Sequence, residues 1–569
     1  MKPAATIALD DVRVPMRDGL TLHADLYRPT GAGRHPVLVL RNPYDRRVAQ
    51  SYLYAHPSWY AAQGYAVLAQ DMRGRWGSEG GFDPIVNEGR DGADTVAWAA
   101  AQPWSNGRVG LYGFSYPAMA QLLAAAEQPQ GLRAVVPALA PSQLRDGWLY
   151  EGGAFALAFA LGWAIELGVD QARRHSPALE AELLAAVADP RPWFASRPLR
   201  DLPLFRRNRI CDFYFDWIGH ETDGAWWSER QVESCYDRIQ VPAMHVGGWY
   251  DVFVDGTLTN WAGLRAAGDA PQRLIVGPWH HLPALVPAAP ITFGPASLRD
   301  LDLDQLGWFD LWLRDHDGGA TVRPPVSAYL TGADRWVEFD DWPPPAARPV
   351  RWWLHSRGRA NSAGGDGTLT TEPPGDEPPD VFVYDPARPV PSVGGHSCCD
   401  PGYAPMGPAD QAANEVLHDV LVYTSPPLAR PTVIAGRVTA ELHASSSAVD
   451  TDWVVKLCDV DPRGRSVNLQ EGIVRARFRG SLDAPAPLVP GEVEAYEIGL
   501  GSVFHRFPPG HRIRIQVTSS SFPAWEPNLN TGRPLGVDTL PDRVIATQQV
   551  LHTVGSASHL TLPLLEADP

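Results

Sequence analysis

Between residue 35 and about residue 140, short apolar runs alternate with stretches in which apolar residues recur at helical spacing. The runs are PVLVLR (36–41), YAVLAQD (65–71), VGLYGF (109–114) and LRAVVP (132–137). Two further runs of this kind, VPAMHVGG (241–248) and RLIVGPW (273–279), follow after a long interval. Strands that alternate with helices form parallel sheets with crossover helices. The pattern therefore predicts one parallel sheet whose chain is interrupted by an insertion.

The interrupting segment, residues 141 to about 235, has helical periodicity and no strand-like run. Its clearest helical patterns are FALAFALGWAIELG (155–168) and ALEAELLAAVA (178–188). We therefore expect an inserted helical cap. One more amphipathic helix, around 301–315, completes the part of the chain that contains the sheet.

The hydrophobic period changes to two after DDWPPPAARPV (340–350), whose consecutive prolines indicate a linker. Alternating runs then occur at TVIAGRVTAELHA (432–444), GIVRARFRG (472–480), VEAYEIGL (493–500) and HRIRIQVTS (511–519). Short alternating runs separated by turn residues are typical of an antiparallel β-sandwich, and we expect one of the jelly-roll kind. Residues 361–380 are rich in glycine, proline and acidic residues, and we expect them to form a long solvated excursion.

Net charge and lysine content exclude several function classes. The chain has 65 acidic and 48 basic residues, a formal charge of -17, without a basic stripe, so nucleic acid is not expected as a partner. Only Lys2 and Lys456 are lysines, which makes a phosphate-binding loop, a Ser-Lys dyad or a Schiff-base lysine hard to build. No apolar segment is long enough to span a membrane and no secretory leader is visible, so we expect a cytoplasmic protein.

The five cysteines lack C-x-x-C spacing, so we expect no metal, and we expect no cofactor. Cys398 and Cys399 are adjacent in the sequence. They could form a vicinal disulfide, but two reduced thiols in a pocket or loop are the interpretation that we favour.

The stretch RVGLYGFSYPAMAQLLAAA (108–126) places a serine between a buried strand and a helix. This is the pattern of a nucleophile elbow, in which a sharp turn exposes the serine hydroxyl at the carboxyl edge of the sheet. Gly113 permits the close approach that the turn needs. The fifth motif position is Pro117 instead of glycine, which the first turn of a helix tolerates. The alternative is that Ser115 is only a helix N-cap.

Hydrolases of this fold arrange their catalytic residues in the order serine, acid, histidine, each after a later strand of the sheet. After the strand that ends near Val246, Asp251 is the first carboxylate, and Asp255 is the alternative one helical turn later. After the next strand, GPWHHLP offers both His280 and His281. A neutral imidazole can accept the serine proton as general base, and an aspartate fixes its tautomer.

An oxyanion in such a site needs two hydrogen-bond donors. One is the backbone N–H of the residue after the nucleophile, here Tyr116. The other comes from the loop after an earlier strand, RNPYDRR (41–47), which presents Tyr44. By position alone, Tyr44 could equally be a packing aromatic.

Taken together, these motifs resemble the bacterial cocaine esterase / X-Pro dipeptidyl-peptidase family of serine hydrolases. The matching segments are NPYD (42–45), DMRGRWGSEGGF (71–82), GFSYPA (113–118), GWYDVF (248–253), GPWHH (277–281), YDPARPVPSVGG (384–395) and SSAVDTDWVVKL (446–457). The resemblance covers nearly the whole chain. It implies an α/β-hydrolase domain (1–140 and 236–342) with a helical cap (141–235) inserted in it and a C-terminal jelly roll (343–569).

The family pattern also assigns site residues. It implies Ser115 as nucleophile, Asp251 as acid and His281 as base, with Tyr44 and the Tyr116 amide as oxyanion donors. It further implies that Trp148, Trp163 and Phe253 wall an aromatic acyl pocket. Cys398 and Cys399 stand where cocaine-cleaving members carry bulky apolar side chains, so a wider pocket is expected and cocaine itself is not assumed as substrate.

We predict a serine hydrolase that cleaves a small ester or amide through an acyl-enzyme on Ser115, with a hydrophobic or aromatic acyl group. Alternatives within the family are an Xaa-Pro dipeptidyl-peptidase and an α-amino-acid ester hydrolase or β-lactam acylase. An alternative from another class is a non-catalytic protein that binds carbohydrate through the jelly roll. The number of subunits is not determined, and a homodimer stays open.

Overall fold

The computed structural model describes residues 7–31, 33–47, 53–282, 291, 293–316, 324–399 and 402–566. The first part of the chain forms β1 (Ile7–Pro15), β2 (Thr21–Pro29), β3 (His35–Asn42), α1 (Pro57–Ala62), β4 (Ala66–Asp71), α2 (Glu88–Ala101), β5 (Ser105–Phe114), α3 (Tyr116–Ala126) and β6 (Leu132–Ala138). The middle part forms β7 (Tyr150–Glu151), β8 (Ala154–Phe155), α4 (Leu157–His175), α5 (Pro177–Ala188), α6 (Arg191–Phe194), α7 (Pro203–Arg206), α8 (Asp212–Gly219) and α9 (Gly224–Ser228). The chain then forms β9 (Ala243–Tyr250), α10 (Val254–Ala267), β10 (Gln272–His280), α11 (Leu301–Arg314), β11 (Val326–Leu330) and β12 (Arg335–Phe339).

One ten-stranded sheet carries the strands before β7 and those from β9 to β12. Its order is β1-β2-β4-β3-β5-β6-β9-β10-β11-β12. The strands from β4 to β11 in that order are parallel, and antiparallel strands close both edges. Every residue of β4 and β9 is buried, as expected for central strands of a sheet covered on both faces. The prediction of a parallel sheet interrupted by an insertion is confirmed. Four strands were not predicted, and two of them, β11 and β12, follow the helix α11 that was expected to complete this part of the chain.

The insertion between β6 and β9 is mainly helical, but the expectation that it contains no strands is wrong. Residues 150–155 form a two-stranded hairpin in which Tyr150 pairs with Phe155 and Glu151 with Ala154. Its turn is Gly152-Gly153, at φ 51° and 82°. Two consecutive residues at positive φ make the turn that matches the twist of a tight hairpin, and Gly-Gly favours it.

The C-terminal part forms a β-sandwich, as predicted. Its strands are β13 (Arg348–His355), β14 (Thr368–Thr370), β15 (Asp380–Tyr384), β16 (Leu421–Thr424), β17 (Thr432–Ser446), β18 (Asp452–Val460), β19 (Ser466–Arg475), β20 (Glu494–Phe507), β21 (Arg512–Thr518), β22 (Ala546–Thr553), β23 (Ser556–Ala557) and β24 (His559–Leu565). The described strand pairs of the sandwich are antiparallel except for β14 with β16. Inward-facing aliphatic and aromatic side chains of β13 to β24 pack into one core, in which Trp453 and Tyr496 are fully buried.

Two predictions within the sandwich need correction. The predicted strand 472–480 ends at Arg475, because the Ala476 and Arg477 amides donate to Thr451 and Asp450 and draw the chain into a short 3-10 turn. The expected solvated excursion contains β14, whose Leu369 is buried in the sandwich core. None of the described helices is long and apolar enough to cross a lipid bilayer.

Candidate active site

Ser115 occupies the single residue between β5 and α3. Its backbone lies at φ 66° and ψ -129°, a sparsely populated conformation that turns the chain sharply. Gly113, at φ 139°, allows this turn, since a Cβ there would lie 2.6 Å from Pro117 Cβ. Ser115 stands at the N-cap position of α3, but its side chain makes no capping hydrogen bond. The hydroxyl is therefore available to another partner.

That partner is His281, which follows the last residue of β10. His281 Nε2 lies 2.9 Å from Ser115 Oγ, and His281 Nδ1 lies 2.6 Å from Asp251 Oδ1. The register of the parallel pair explains the second contact, because His280 of β10 is paired with Tyr250 of β9. The next residues, His281 and Asp251, thus leave the sheet side by side. The side chains of Ser115, His281 and Asp251, which these two hydrogen bonds connect, are all buried.

His280 and Asp255, the alternatives for the base and the acid, make hydrogen bonds outside the Ser115–His281–Asp251 connection. His280 Nδ1 accepts the N–H of Leu282 at 3.2 Å, and burial, followed by the nearby His281, lowers the pKa of His280. Asp255, in the first turn of α10, accepts the N–H of Ser502 at 3.1 Å and faces Arg437. Neither side chain contacts Ser115 Oγ in the part of the chain that the structure describes.

Tyr44 lies in the loop after β3, where Trp163 Nε1 donates a hydrogen bond to its Oη at 3.1 Å. Burial, followed by the charge of Glu166, raises the pKa of Tyr44 above its ordinary value, so the phenol keeps its proton at neutral pH. Arg75 and Trp76, from DMRGRWGSEGGF, donate to the Pro43 carbonyl at 2.9 and 3.0 Å and hold this loop in place.

Tyr116 is the first residue of α3. The first four N–H groups of a helix have no acceptor within the helix, so the Tyr116 amide is free to donate outside it. The tyrosine side chain is fully buried, where its hydroxyl donates to Glu88 Oε1 at 3.0 Å and accepts from the Ile85 amide at 2.7 Å. These contacts anchor the start of α3 beside Ser115.

Aromatic side chains from the cap and the sheet meet beside His281. The three predicted pocket residues are in contact: Trp148 lies 5.0 Å from Trp163 and 5.1 Å from Phe253 between ring centroids. Phe253 lies 5.1 Å from the His281 ring in edge contact. Together they form a buried aromatic cluster next to the imidazole.

Two further aromatic side chains, Phe159 and Trp217, belong to this cluster and were not predicted from the sequence. Phe159 lies 5.6 Å from Phe253 and 6.5 Å from His281, and Trp217 stacks on Trp163 at 5.3 Å. Phe159 could have been found, because it precedes Trp163 by four residues on α4 and so shares its face. No comparable signal marks Trp217, which reaches the cluster from α8.

Cys398 and Cys399 also lie beside His281, with ligand atoms of the three residues within 4.8 Å of one another. The two sulfurs form a disulfide, so the favoured interpretation of reduced thiols is wrong. Cys399 adopts φ 75°, which turns its side chain back toward Cys398, and nothing in the sequence signals that backbone conformation. A disulfide offers no thiolate, so this group does not provide a metal site in the state described.

Thiol titration in denaturant tests the disulfide. The three remaining cysteines, Cys211, Cys235 and Cys458, are free and buried. We therefore expect almost no thiol to react in the folded protein and three thiols per chain to react in guanidinium. Prior reduction by dithiothreitol should raise the denatured count to five, the total in the sequence. Five thiols in guanidinium without reductant would contradict the disulfide.

Comparisons with known proteins agree along the length of the chain. A family model of X-Pro dipeptidyl-peptidase (S15 family) matches residues 18–283, and one of the X-Pro dipeptidyl-peptidase C-terminal non-catalytic domain matches residues 318–561. The chain is 36% identical to a cocaine esterase of Rhodococcus sp. (strain MB1 Bresler), over 98% of both chains.

Solved structures resemble the whole fold as well. An aminopeptidase from a marine sediment archaeon (Thaumarchaeota) is 26% identical, with a TM-score of 0.81 over 100% of this chain and 98% of that one. An α-amino acid ester hydrolase is 27% identical, with a TM-score of 0.78 over 99% and 97%. These relatives do not support the alternative of a non-catalytic carbohydrate-binding protein. The chain belongs to the cocaine esterase / X-Pro dipeptidyl-peptidase family and is an α/β-hydrolase that acts as a serine hydrolase.

Proposed function

We propose that the protein hydrolyses carboxylic esters through an acyl-enzyme on Ser115, with His281 as general base and Asp251 as the acid that orients it. The observation that carries this proposal is the buried, continuous hydrogen-bond chain from Asp251 through His281 to Ser115 Oγ. Groups with these roles recur in unrelated hydrolases and are recognised by their geometry.

In the first half-reaction, Ser115 Oγ attacks the carbonyl carbon of the substrate while His281 Nε2 takes the hydroxyl proton. The tetrahedral intermediate then collapses, the bond to the leaving oxygen breaks, and His281 returns the proton to the departing alcohol. In the second half, His281 deprotonates a water that attacks the acyl carbon and releases the acid. Asp251 keeps the proton on Nδ1, so that Nε2 is the free base.

Negative charge that develops on the carbonyl oxygen would be met by the Tyr116 amide and the Tyr44 hydroxyl. The protonated state of Tyr44 supports this role, because a phenolate could not donate. The anchoring of the loop through Pro43 supports it too, since a preorganised donor costs no reorganisation during the reaction.

Replacing Tyr44 with phenylalanine tests the oxyanion role. We expect kcat for a p-nitrophenyl ester to fall about 10²- to 10³-fold with little change in KM, because the lost hydrogen bond acts in the transition state. Tyr384→Phe removes a buried phenol of the sandwich core that donates to the Asn528 carbonyl, and serves as the matched control. An unchanged kcat in Tyr44→Phe would rule out this donor.

The acyl group that we propose is hydrophobic or aromatic. The support is the aromatic cluster against His281, whose buried faces suit a flat apolar group by stacking and by area buried. The Cys398–Cys399 disulfide is part of the surroundings of His281, and its small side chains favour a wider pocket than bulky apolar residues would leave.

A panel of substrates distinguishes this proposal from the alternatives within the family. Phenylacyl esters should give the highest kcat/KM, above α-amino esters, Xaa-Pro anilides and glutaryl amides. Xaa-Pro dipeptidase and α-amino-acid ester activity require carboxylates that bind an ammonium group, and the cluster next to His281 is aromatic. A preference for Xaa-Pro anilides would overturn the proposed acyl specificity while leaving the catalytic residues standing.

We further propose a cytoplasmic location. The support is that three of the five cysteines are free thiols. The Cys398–Cys399 disulfide, a kind of bond that is rare in reducing compartments, argues in the opposite direction.

A further inference from the structure

One cavity in the described part of the chain lies close to the aromatic cluster but is not lined by the catalytic residues. It has a volume of about 400 Å³ and lies where the sheet domain, the cap and the sandwich meet. Trp148 and Phe159 form part of its wall, as they do of the aromatic cluster. None of Ser115, Asp251 and His281 lines it. The cavity therefore adjoins the aromatic cluster without being lined by the catalytic residues.

This cavity is strongly acidic. One arginine, Arg437, faces six carboxyl groups: Asp146, Glu151, Glu233, Asp255, Glu471 and Glu497. Two of the six have cationic partners, because Lys456 Nζ lies 3.0 Å from Glu471 and Arg437 lies 3.7 Å from Asp255. The described residues place no cationic group within ion-pair distance of Asp146 or Glu151.

The proximity of these carboxyl groups to one another, together with their burial, makes their ionised forms unfavourable. Burial raises the pKa of Glu151 well above its ordinary value, and the charges of Glu471, Asp146 and Asp255 raise it further. A hydrogen bond with Trp525 offsets part of this effect. Burial likewise raises the pKa of Asp146, although its Oδ1 accepts the Gly152 amide at 3.1 Å. A positive charge in the cavity would favour the ionised forms of Glu151 and Asp146 and so lower the pKa of both.

Gln470 supplies an independent indication that something binds here. Its side chain lines the cavity and is 1% exposed. The Nε2 group donates to the carbonyls of Trp249 and Ser502, which fixes the orientation of the amide, and Oε1 accepts no hydrogen bond. An unpartnered buried acceptor is unfavourable, and a donor on a molecule bound in the cavity would satisfy it.

We propose that this cavity binds an organic cation, a protonated amine whose N–H groups can donate to Gln470 Oε1 and to the carboxyl groups. A compact metal ion fits less well, because no three carboxyl groups of the cavity bring their oxygens within 4.8 Å of one another. The volume is that of a small-molecule site, and Trp148, Phe159 and Trp525 offer aromatic faces that attract a cation. The site is separate from Ser115 and does not depend on its chemistry.

Calorimetric titration with benzylamine and with n-butylamine, both protonated at neutral pH, tests this site directly. We expect saturable binding of at least one cation to the wild type, and no binding of benzyl alcohol, the uncharged isostere of benzylammonium. Glu151→Gln and Asp146→Asn should each raise Kd by about tenfold or more, because each removes one charge and keeps the shape. Asn at 146 still offers an oxygen to the Gly152 amide, so that variant should fold.

Two controls separate this site from the catalytic one and from general surface charge. Ser115→Ala should bind both cations with unchanged Kd, whatever it does to hydrolysis. Glu492→Gln, an exposed acid outside the cavity, should leave Kd unchanged. The proposal is overturned if neither cation binds or if the uncharged isostere binds as tightly. It is also overturned if both cavity variants keep the Kd of the wild type while their melting temperatures match that of the wild type.

Discussion

Ser115→Ala is expected to lower kcat/KM for p-nitrophenyl ester hydrolysis by about 10⁴- to 10⁶-fold. Without Oγ, no acyl-enzyme forms, and the residual rate comes from binding and the oxyanion donors acting on water. The substitution should leave the fold intact, because Ser115 uses its side chain for no capping bond and alanine can take the same backbone conformation at the same cost. Steady-state kinetics on the purified variant, after checking its melting temperature, measures the effect.

The matched control is Ser228→Ala, which changes an exposed serine at the end of α9. It should keep the activity of the wild type. Both variants should melt within about 2 °C of the wild type, since neither removes buried apolar surface. Wild-type turnover in Ser115→Ala would exclude Ser115 as the nucleophile, whatever the geometry beside it.

His281→Asn should cost nearly as much, about 10⁴-fold or more in kcat, because His281 is the only proposed acceptor for the Ser115 proton. Asparagine cannot act as a base near neutral pH, although it can still hydrogen-bond to Asp251. KM should change much less than kcat, since the lost interaction is a proton transfer. The comparison of kcat and KM thus separates a base from a residue that only shapes the pocket.

The neighbouring histidine provides the control for this effect. His280→Asn keeps an acceptor for the Leu282 amide and should retain activity within about tenfold, because His280 makes no contact with Ser115. If the two variants lost activity equally, the assignment of the base to His281 would fail. Position along the chain left both histidines open, and the resemblance to the family favoured His281.

The parallel sheet and the elbow could be predicted because local sequence controls them. Buried strands of the sheet are continuous apolar runs, and Gly113 with the Ala-rich start of α3 marks a tight strand-to-helix turn. The order of serine, acid and histidine along the chain then follows from the strand order. These features need no information about distant contacts.

Strand register and side-chain direction explain why His281 and Asp251, and not the neighbouring His280 and Asp255, lie beside Ser115. The pairing of His280 with Tyr250 determines that Asp251 and His281 meet, and no local pattern encodes that pairing. Trp217 reaches the aromatic cluster from a separate helix of the cap, so only tertiary packing reveals it. The disulfide at Cys398 depends on a left-handed Cys399, which sequence periodicity does not signal.

One missed element did have a local signal. Gly152-Gly153 favours a tight hairpin, but the surrounding helical patterns led to an interpretation of the cap as wholly helical. That hairpin carries Glu151 to the junction of the three domains, where it lines the acidic cavity. The error therefore concealed a feature with chemical consequences.

The most direct measurement of the central claim is the mass of the protein after reaction with a fluorophosphonate. The probe phosphonylates an activated serine and loses fluoride, so the adduct can be located by peptide mapping. We predict one adduct per chain, on Ser115, with none on Ser115→Ala and much slower labelling of His281→Asn. An adduct on another serine, or no adduct on the active wild-type enzyme, would contradict the account.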